Sequence, residues 1–337
     1  MIVWIGFILL VCIFLAIDLG IFNKQSHEIG TAEAFRWTSL WVSISMLFSV
    51  FVYFAYENNW MGIGQTVGHP SSGMHAALTY LTGYIVELSL SMDNIFVIAV
   101  IFSYFGIPKK YQHRVLFWGI LGAVIFRGLF IGAGAWLISH FDFMLYIFGV
   151  ILLWTAWKMM RAGQSHEVHP EDNIVVKAFR KILPVTRNIY EEQFFVKRNG
   201  KIVAMTPLFL ALLVVETSDI MFAFDSIPAI FAITTDPFIV FTSNIFAILG
   251  LRSMYFVLAS VLDKFEHLKY SLAVILAFVG LKMVVFHPLH IDIPEWVSLL
   301  VILLLLAVGV ISSVIKSKRL EDNKKEHPAK VEKEIYP

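Results

Sequence analysis

The chain has 337 residues, 58% of them hydrophobic and 15% charged, with a formal net charge of +1. That composition excludes an ordinary soluble globular protein and describes a polytopic membrane protein, and the near-zero charge gives no basis for nucleic-acid binding. With Cys12 as its one cysteine, the chain carries neither a disulfide framework nor a CxxC redox pair.

Charge-poor apolar runs of spanning length occur at about 2–22, 37–56, 76–105, 115–138, 143–160, 205–234, 238–262, 270–287 and 295–315, which predicts an all-α protein of about nine transmembrane helices. The first run has no basic segment before it and carries Asp18, so it reads as a retained helix and not as a cleaved signal peptide. Residues 1–75 hold two helices, 76–160 a three-helix unit, 161–204 a soluble segment, 205–287 a second three-helix unit and 288–315 the last helix. In the soluble segment, Asp172 to Leu183 predicts an amphipathic surface helix, and the β-prone arms around Asn199-Gly200 predict a type I′ hairpin. Residues 316–337, with Lys, Glu, Asp and Pro and no apolar periodicity, read as a solvated tail. Lys24, Arg36, Lys109, Lys110, Arg114 and the basic residues of 161–204 mark cytoplasmic loops. The intervening loops carry no Lys or Arg, so the amino terminus is expected outside and the tail inside.

Two stretches break the apolar pattern. From Ala76 to Phe105 the only charged side chains are Glu87 and Asp93, within Glu87-Leu-Ser-Leu-Ser-Met-Asp93-Asn94. Asp219-Ile-Met-Phe-Ala-Phe-Asp225-Ser226 repeats the acid-to-acid spacing, and Glu216 adds a carboxylate one turn earlier. An ionised acid at mid-bilayer costs on the order of 3 kcal/mol even on lenient scales, so such residues point to function. The units match further: Arg127 answers Arg252, and Leu145 to Lys158 aligns with Lys269 to Lys282. Three helices per unit make the second copy inverted, the architecture of many secondary transporters, whose ion sites lie at the repeat interface. Helices one, two and nine are then peripheral.

Arg127 and Arg252, as fixed counter-ions or as gating charges, can neutralise at most two of the five acids, which leaves charge for protons, a cation or both. Acids six residues apart on a regular helix point about 120° away from one another. Pro228 cannot donate to the carbonyl of Phe224, so a helix break beside Asp225 is expected to turn the acids toward one point. Glu87, Asp93, Glu216, Asp219 and Asp225 offer hard oxygen ligands suited to Mg²⁺, Ca²⁺ or Mn²⁺. Asp18 is either a further ligand or a capping or packing acid, and Met92 and Met221 are either packing or a soft contact favouring Mn²⁺. No nucleophile, phosphate loop or haem motif is present, so neither an enzyme nor a permanently bound cofactor is expected.

At these residues the sequence resembles the TerC family of bacterial integral membrane proteins, in its Alx-like branch. The resemblance is carried by Glu87 to Val97, Phe126-Arg-Gly, Glu216 to Ala229, Asn244 to Ser253 and an N-terminal Asp18-Leu-Gly-Ile-Phe22. It implies a multi-pass protein of the bacterial inner membrane with LysE-like inverted repeats, linked to manganese export, tellurium resistance and response to alkaline pH, with the transmembrane acids holding the metal. Export of Mn²⁺ in exchange for protons is the expectation. The alternative is a non-transporting scaffold or redox modulator that meets a cytoplasmic partner through residues 161–204.

Overall fold

The computed structural model describes residues 2–22, 30–141, 143–161, 173–186, 189–190, 192–198, 201–259, 268–286, 288–289 and 293–326. Helix α1 (Ile2–Phe22) is followed by α2 (Thr31–Glu57), the single turn α3 (Ile63–Thr66), α4 (Gly73–Tyr104), α5 (Lys109–His140) and α6 (Met144–Arg161). A small segment holds α7 (Ile174–Ile182) and strands β1 (Phe195–Arg198) and β2 (Lys201–Met205). Then come α8 (Pro207–Phe231), α9 (Pro237–Leu249), α10 (Leu251–Leu258), α11 (Leu268–Leu281), with a π turn at Lys282–Phe286, and α12 (Glu295–Glu326). Among the described residues seven helices are long and apolar enough to cross a membrane, or eight if α9 and α10, bent by 44° about Gly250, form one span. Ile2–Ile17 is a shorter apolar helix.

The helix ends follow local chemistry. Ser72 accepts from the amide of His75 to start α4, and Asp236 accepts from the amides of Phe238 and Ile239 to start α9, where Pro237 has no N–H to satisfy. Gly106, at φ 61°, makes the reversal between α4 and α5 that other residues resist.

Packing separates inner from outer helices. In α9 every residue from Phe238 to Leu249 except Phe241 is buried, while Ile5, Leu47, Trp154 and Val308 stand exposed on α1, α2, α6 and α12, as lipid-facing side chains do. Small residues set the closest approaches: a β-carbon on Gly280 would meet the carbonyl of Gly149 at 3.0 Å, so α6 and α11 touch nearly backbone to backbone. Helices α1 and α2 are less peripheral than expected. Trp4 and Phe7 of α1 pack edge-on against Phe241 of α9 at 5.5 and 5.7 Å, and α2 lies along α4. Tyr56 at the end of α2 and the amide of His69 both donate to Asp236 at 2.8 Å, which ties the 58–72 loop to α9.

The expected surface helix is present as α7, capped by Asn173, which accepts from the amides of Val175 and Val176. The hairpin arms pair antiparallel, with a register shift at Val196/Lys197 and Arg198 opposite Lys201. The turn residues Asn199 and Gly200 lie outside the described residues, as does the side chain of Asp18.

One expectation fails. Helix α8 runs unbroken through Pro228 and does not loosen beside Asp225. The proline stands in the last turn, three residues before Phe231, so its ring removes only the bond to the Phe224 carbonyl, and Ser226 through Phe231 are all buried and hold the turn in place. The break in this half of the chain is instead at Gly250.

Candidate functional site

The six-residue spacing decides which acids meet. On α4, Glu87, Ser91 and Asn94 recur at four and seven residues and share one face; on α8, Glu216 and Ser226 stand three residues before and seven after Asp219 and likewise share one. Those two faces turn toward α5 and α9. Arg127, deep in α5 and 1% exposed, reaches across both. It forms an ion pair with Glu87 and a forked one with Asp219, Nη2 to Oδ1 at 3.0 Å and Nε to Oδ2 at 3.3 Å. Its Nη1 also donates to Ser226 Oγ at 3.3 Å and Asn244 Oδ1 at 3.5 Å. Asn244 of α9, wholly buried, donates from Nδ2 to Glu87 Oε2 at 2.9 Å, and Asn94 donates to Asp219 Oδ1 at 3.3 Å. The first acids of the two motifs are therefore held by one arginine; Ser226 and Asn244 complete its shell, and Asn94 of the first motif holds Asp219.

Glu216 stands beside this network, close enough to Asp219 to interact with it electrostatically. Its carboxylate lies where a side chain on Gly122 of α5 would be, so the glycine is what makes room for it. The Oε2 atom is buried and accepts no hydrogen bond. A small cleft lined by Asn94, Ser218 and Asp219, with walls that include Ile98, Leu116 and Val215, lies beside Asp219, on the side of the network toward the starts of α5 and α8. The opposite half is closed: a β-carbon on Gly83 would overlap Ile230, and one on Gly134 would overlap Phe231.

Asp93 and Asp225 are not brought to the network, as their rotation around unbroken helices requires. Asp225 accepts from Thr155 of α6 at 2.7 Å and lies in electrostatic reach of Lys158. Asp93 lies in electrostatic reach of Lys269 of α11. The five acids thus do not converge, and among the described residues no group of three or more His, Cys, Asp or Glu side chains is placed to hold a metal ion. Met221 is 70% exposed on the outer face of α8, and Met92 packs into the apolar core, so neither thioether stands at the network. Arg252 is buried at the start of α10, within electrostatic reach of His113.

Lys158, Lys269 and Gly122 were given no site role from sequence, and Asn244 entered only as the start of a motif, although it is the one side-chain amide in the charge-free 238–250 run. The lysines stand where interfacial residues are ordinary, and the glycine carries no signal of its own.

Comparison with known proteins gives one consistent answer. Residues 72–321 match the integral membrane protein TerC family. The chain is 46% identical over 315 residues to an uncharacterized membrane protein of Myxococcus xanthus (94% of this chain, 92% of that one). It is 48% identical over 292 residues to the Escherichia coli K12 protein named "Putative membrane-bound redox modulator Alx" (86% and 88%). It is 41% identical over 319 residues to a Rickettsia felis membrane protein (94% and 99%). No solved structure matches it. The chain belongs to the TerC family of integral membrane proteins.

Proposed function

We propose that this protein is a secondary transporter that exports a divalent metal cation, foremost Mn²⁺, in exchange for protons across the bacterial inner membrane. One observation carries the reading. Glu87, Glu216 and Asp219 bring three carboxyl groups beside the one guanidinium of Arg127, so that with all three ionised two negative charges are left over, the complement of one divalent cation. Asp93 and Asp225 are left out of that count because they lie away from the network, within electrostatic reach of Lys269 and Lys158. The groups offered at the cleft are carboxylate, amide and hydroxyl oxygens, the donor class of Mg²⁺, Ca²⁺ and Mn²⁺. Ionised carboxylates bind the metal and protonated ones release it, so metal and protons exchange on the same groups.

Helices α4–α6 and α8–α11 are read as inverted repeats. Reciprocal packing supports this: α4 lies on α9, α5 on α8 and α6 on α11. With α1 and the bent α9–α10 pair each counted as one span, the chain crosses nine times, amino terminus outside and carboxyl terminus in the cytoplasm. Lys109, Lys110 and Arg114 then mark the end at which α5 begins as cytoplasmic, and the close packing at Gly83 and Gly134 is read as the seal on the outer side.

The test is flux in inverted vesicles loaded with a pH dye, following metal uptake and lumenal pH together. Mn²⁺ uptake with lumenal protons leaving is expected, and Glu216→Gln abolishes both. Uptake without proton movement, at controlled membrane potential, removes the exchange mechanism; no uptake of any divalent cation removes the transporter reading.

The redox-modulator name of the Escherichia coli relative supports a second reading, a membrane scaffold that meets cytoplasmic partners through α7 and the β1–β2 hairpin. Deleting the hairpin separates the two. A scaffold loses all function, whereas a transporter keeps metal flux.

A further inference from the structure

The middle helices of the two repeats, α5 and α9, are each fastened at their start by the stretch of chain that leads into the other repeat. Helix α9 begins at the buried Asp236, whose Oδ2 accepts from Tyr56 Oη and from the amide of His69, both at 2.8 Å. Tyr56 and His69 belong to the approach to α4, and Glu57 fastens that approach to α4 itself by accepting from the amide of Gly73 at 2.8 Å. At the start of α5, Arg114 Nη1 donates to Glu192 Oε2 at 3.1 Å, and His113 Nε2 lies 3.8 Å from Glu192 Oε1. Glu192 belongs to the approach to α8. Thr206, which caps α8, secures that approach by donating from its hydroxyl to the carbonyl of Gln193 at 2.7 Å and from its amide to the carbonyl of Phe194 at 3.0 Å.

Each tie crosses a contact that access to the network would have to open. Ile230, near the end of α8, closes on Gly83 of α4, and the Asp236 tie holds the α8–α9 turn that follows Ile230 to the chain entering α4. The cleft beside Asp219 has walls from α5 at Leu116 and from α8 at Val215, and the Glu192 tie holds the start of α5 to the start of α8 on that same side of the network. We propose that Tyr56–Asp236 and Arg114–Glu192 are the two latches of alternating access, the first on the outer side and the second on the inner; the inference rests on the exchange reading above. The latches differ in strength. Tyr56 and Asp236 are 4% and 3% exposed, whereas the side chains of Arg114 and Glu192 are 37% and 26% exposed. Losing a hydrogen bond to a buried charged acceptor shifts an equilibrium by roughly tenfold to a hundredfold. Losing a partly exposed ion pair shifts it by roughly twofold to fivefold. The outer side is therefore the more firmly held.

The experiment uses the full chain with Cys12→Ser, without metal or pH gradient, and one cysteine behind each latch. Ser243→Cys stands beside the outer seal, where the serine Oγ would lie 3.0 Å from a β-carbon on Gly83, and Val215→Cys stands on the cleft wall. The rate of labelling by a membrane-impermeant charged maleimide is followed in right-side-out vesicles for the first and in inverted vesicles for the second. Tyr56→Phe is expected to speed outer labelling by about tenfold or more and to leave inner labelling no faster. Glu192→Gln is expected to speed inner labelling by about twofold or more and to leave outer labelling no faster. Gly68→Ala, whose methyl would overlap both Tyr56 Oη and Asp236, should reproduce Tyr56→Phe with both latch groups still present. A latch variant that leaves its own side unchanged, acceleration on both sides together as general loosening gives, or Ser243→Cys labelled from the cytoplasmic side would each overturn the proposal. The readout needs no cation. The expected labelling in a protein that moves no metal removes the transport reading and keeps the latches, and normal exchange with unresponsive labelling does the reverse.

Discussion

Replacing Arg127 by glutamine should be among the most damaging single changes in the molecule, and the geometry gives its size. Arg127 and Glu87 are each 1% exposed, and Arg127 also meets Asp219, Ser226 and Asn244. Removing one partner of a buried ion pair strands the other and costs about 3–5 kcal/mol, a fifth or more of the roughly 5–15 kcal/mol that holds a typical protein folded. Relief should come from Glu87→Gln: in that background the arginine change strands one carboxylate fewer, and the two substitutions should couple by about 2 kcal/mol. Arg127→Lys keeps a charge but not the fork that reaches two acids, and should fall between. The assay is denaturant unfolding in micelles followed by tryptophan fluorescence, for the four members of the cycle. A cost below about 1 kcal/mol for Arg127→Gln, or the same cost with and without Glu87, would refute the network as drawn.

Gly122→Ala should push the Glu216 carboxylate from its seat and abolish metal binding measured by calorimetry, whereas at Gly119 an added methyl meets only Val215 at 3.2 Å and binding should persist. Asp219→Asn and Glu216→Gln should remove equilibrium Mn²⁺ binding, while Asp93→Asn and Asp225→Asn, away from the network, should leave binding intact and reduce vesicle flux; loss of binding in the latter pair would return them to the site. Gly149→Ala puts a methyl against Met283 Cβ at 2.9 Å and should destabilise the α6–α11 contact by about 1–3 kcal/mol, read as a lowered unfolding midpoint.

The acidic motifs were legible because a carboxylate inside an apolar run of thirty residues has no ordinary explanation. Their division was legible too, from the 120° between acids six apart, and was discounted in favour of a break at Pro228. That weight was misplaced because a proline three residues from a helix end costs one hydrogen bond and bends little. Lys158 and Lys269 were hidden by their position near helix ends, where lysine normally marks the interface; only packing reveals that α6 and α11 bring them within electrostatic reach of Asp225 and Asp93. The seat of Glu216 was not readable at all, since it consists of an atom that Gly122 lacks.

The separation of the acids acquires direction from the path of the chain. Helices α4 and α8 are spans with two further spans, α5 and α6, between them, so they cross the membrane in opposite senses. Moving six residues along α4 from Glu87 to Asp93, roughly 9 Å at 1.5 Å per residue, leads toward the cleft end. The same step along α8 from Asp219 to Asp225 leads toward the end sealed at Gly83 and Gly134. The central network thus has one acid on each side, each within electrostatic reach of a lysine carried by α6 or α11. In the proposed cycle this gives a cation leaving Asp219 and Glu216 a carboxylate to meet on whichever side is open, while the bridging Arg127 keeps the two repeats joined at the level between. A rocking motion that opened the sealed half would have to part Ile230 from Gly83 and Phe231 from Gly134 while Arg127 kept its hold on both Glu87 and Asp219, so the arginine is the natural pivot of the exchange.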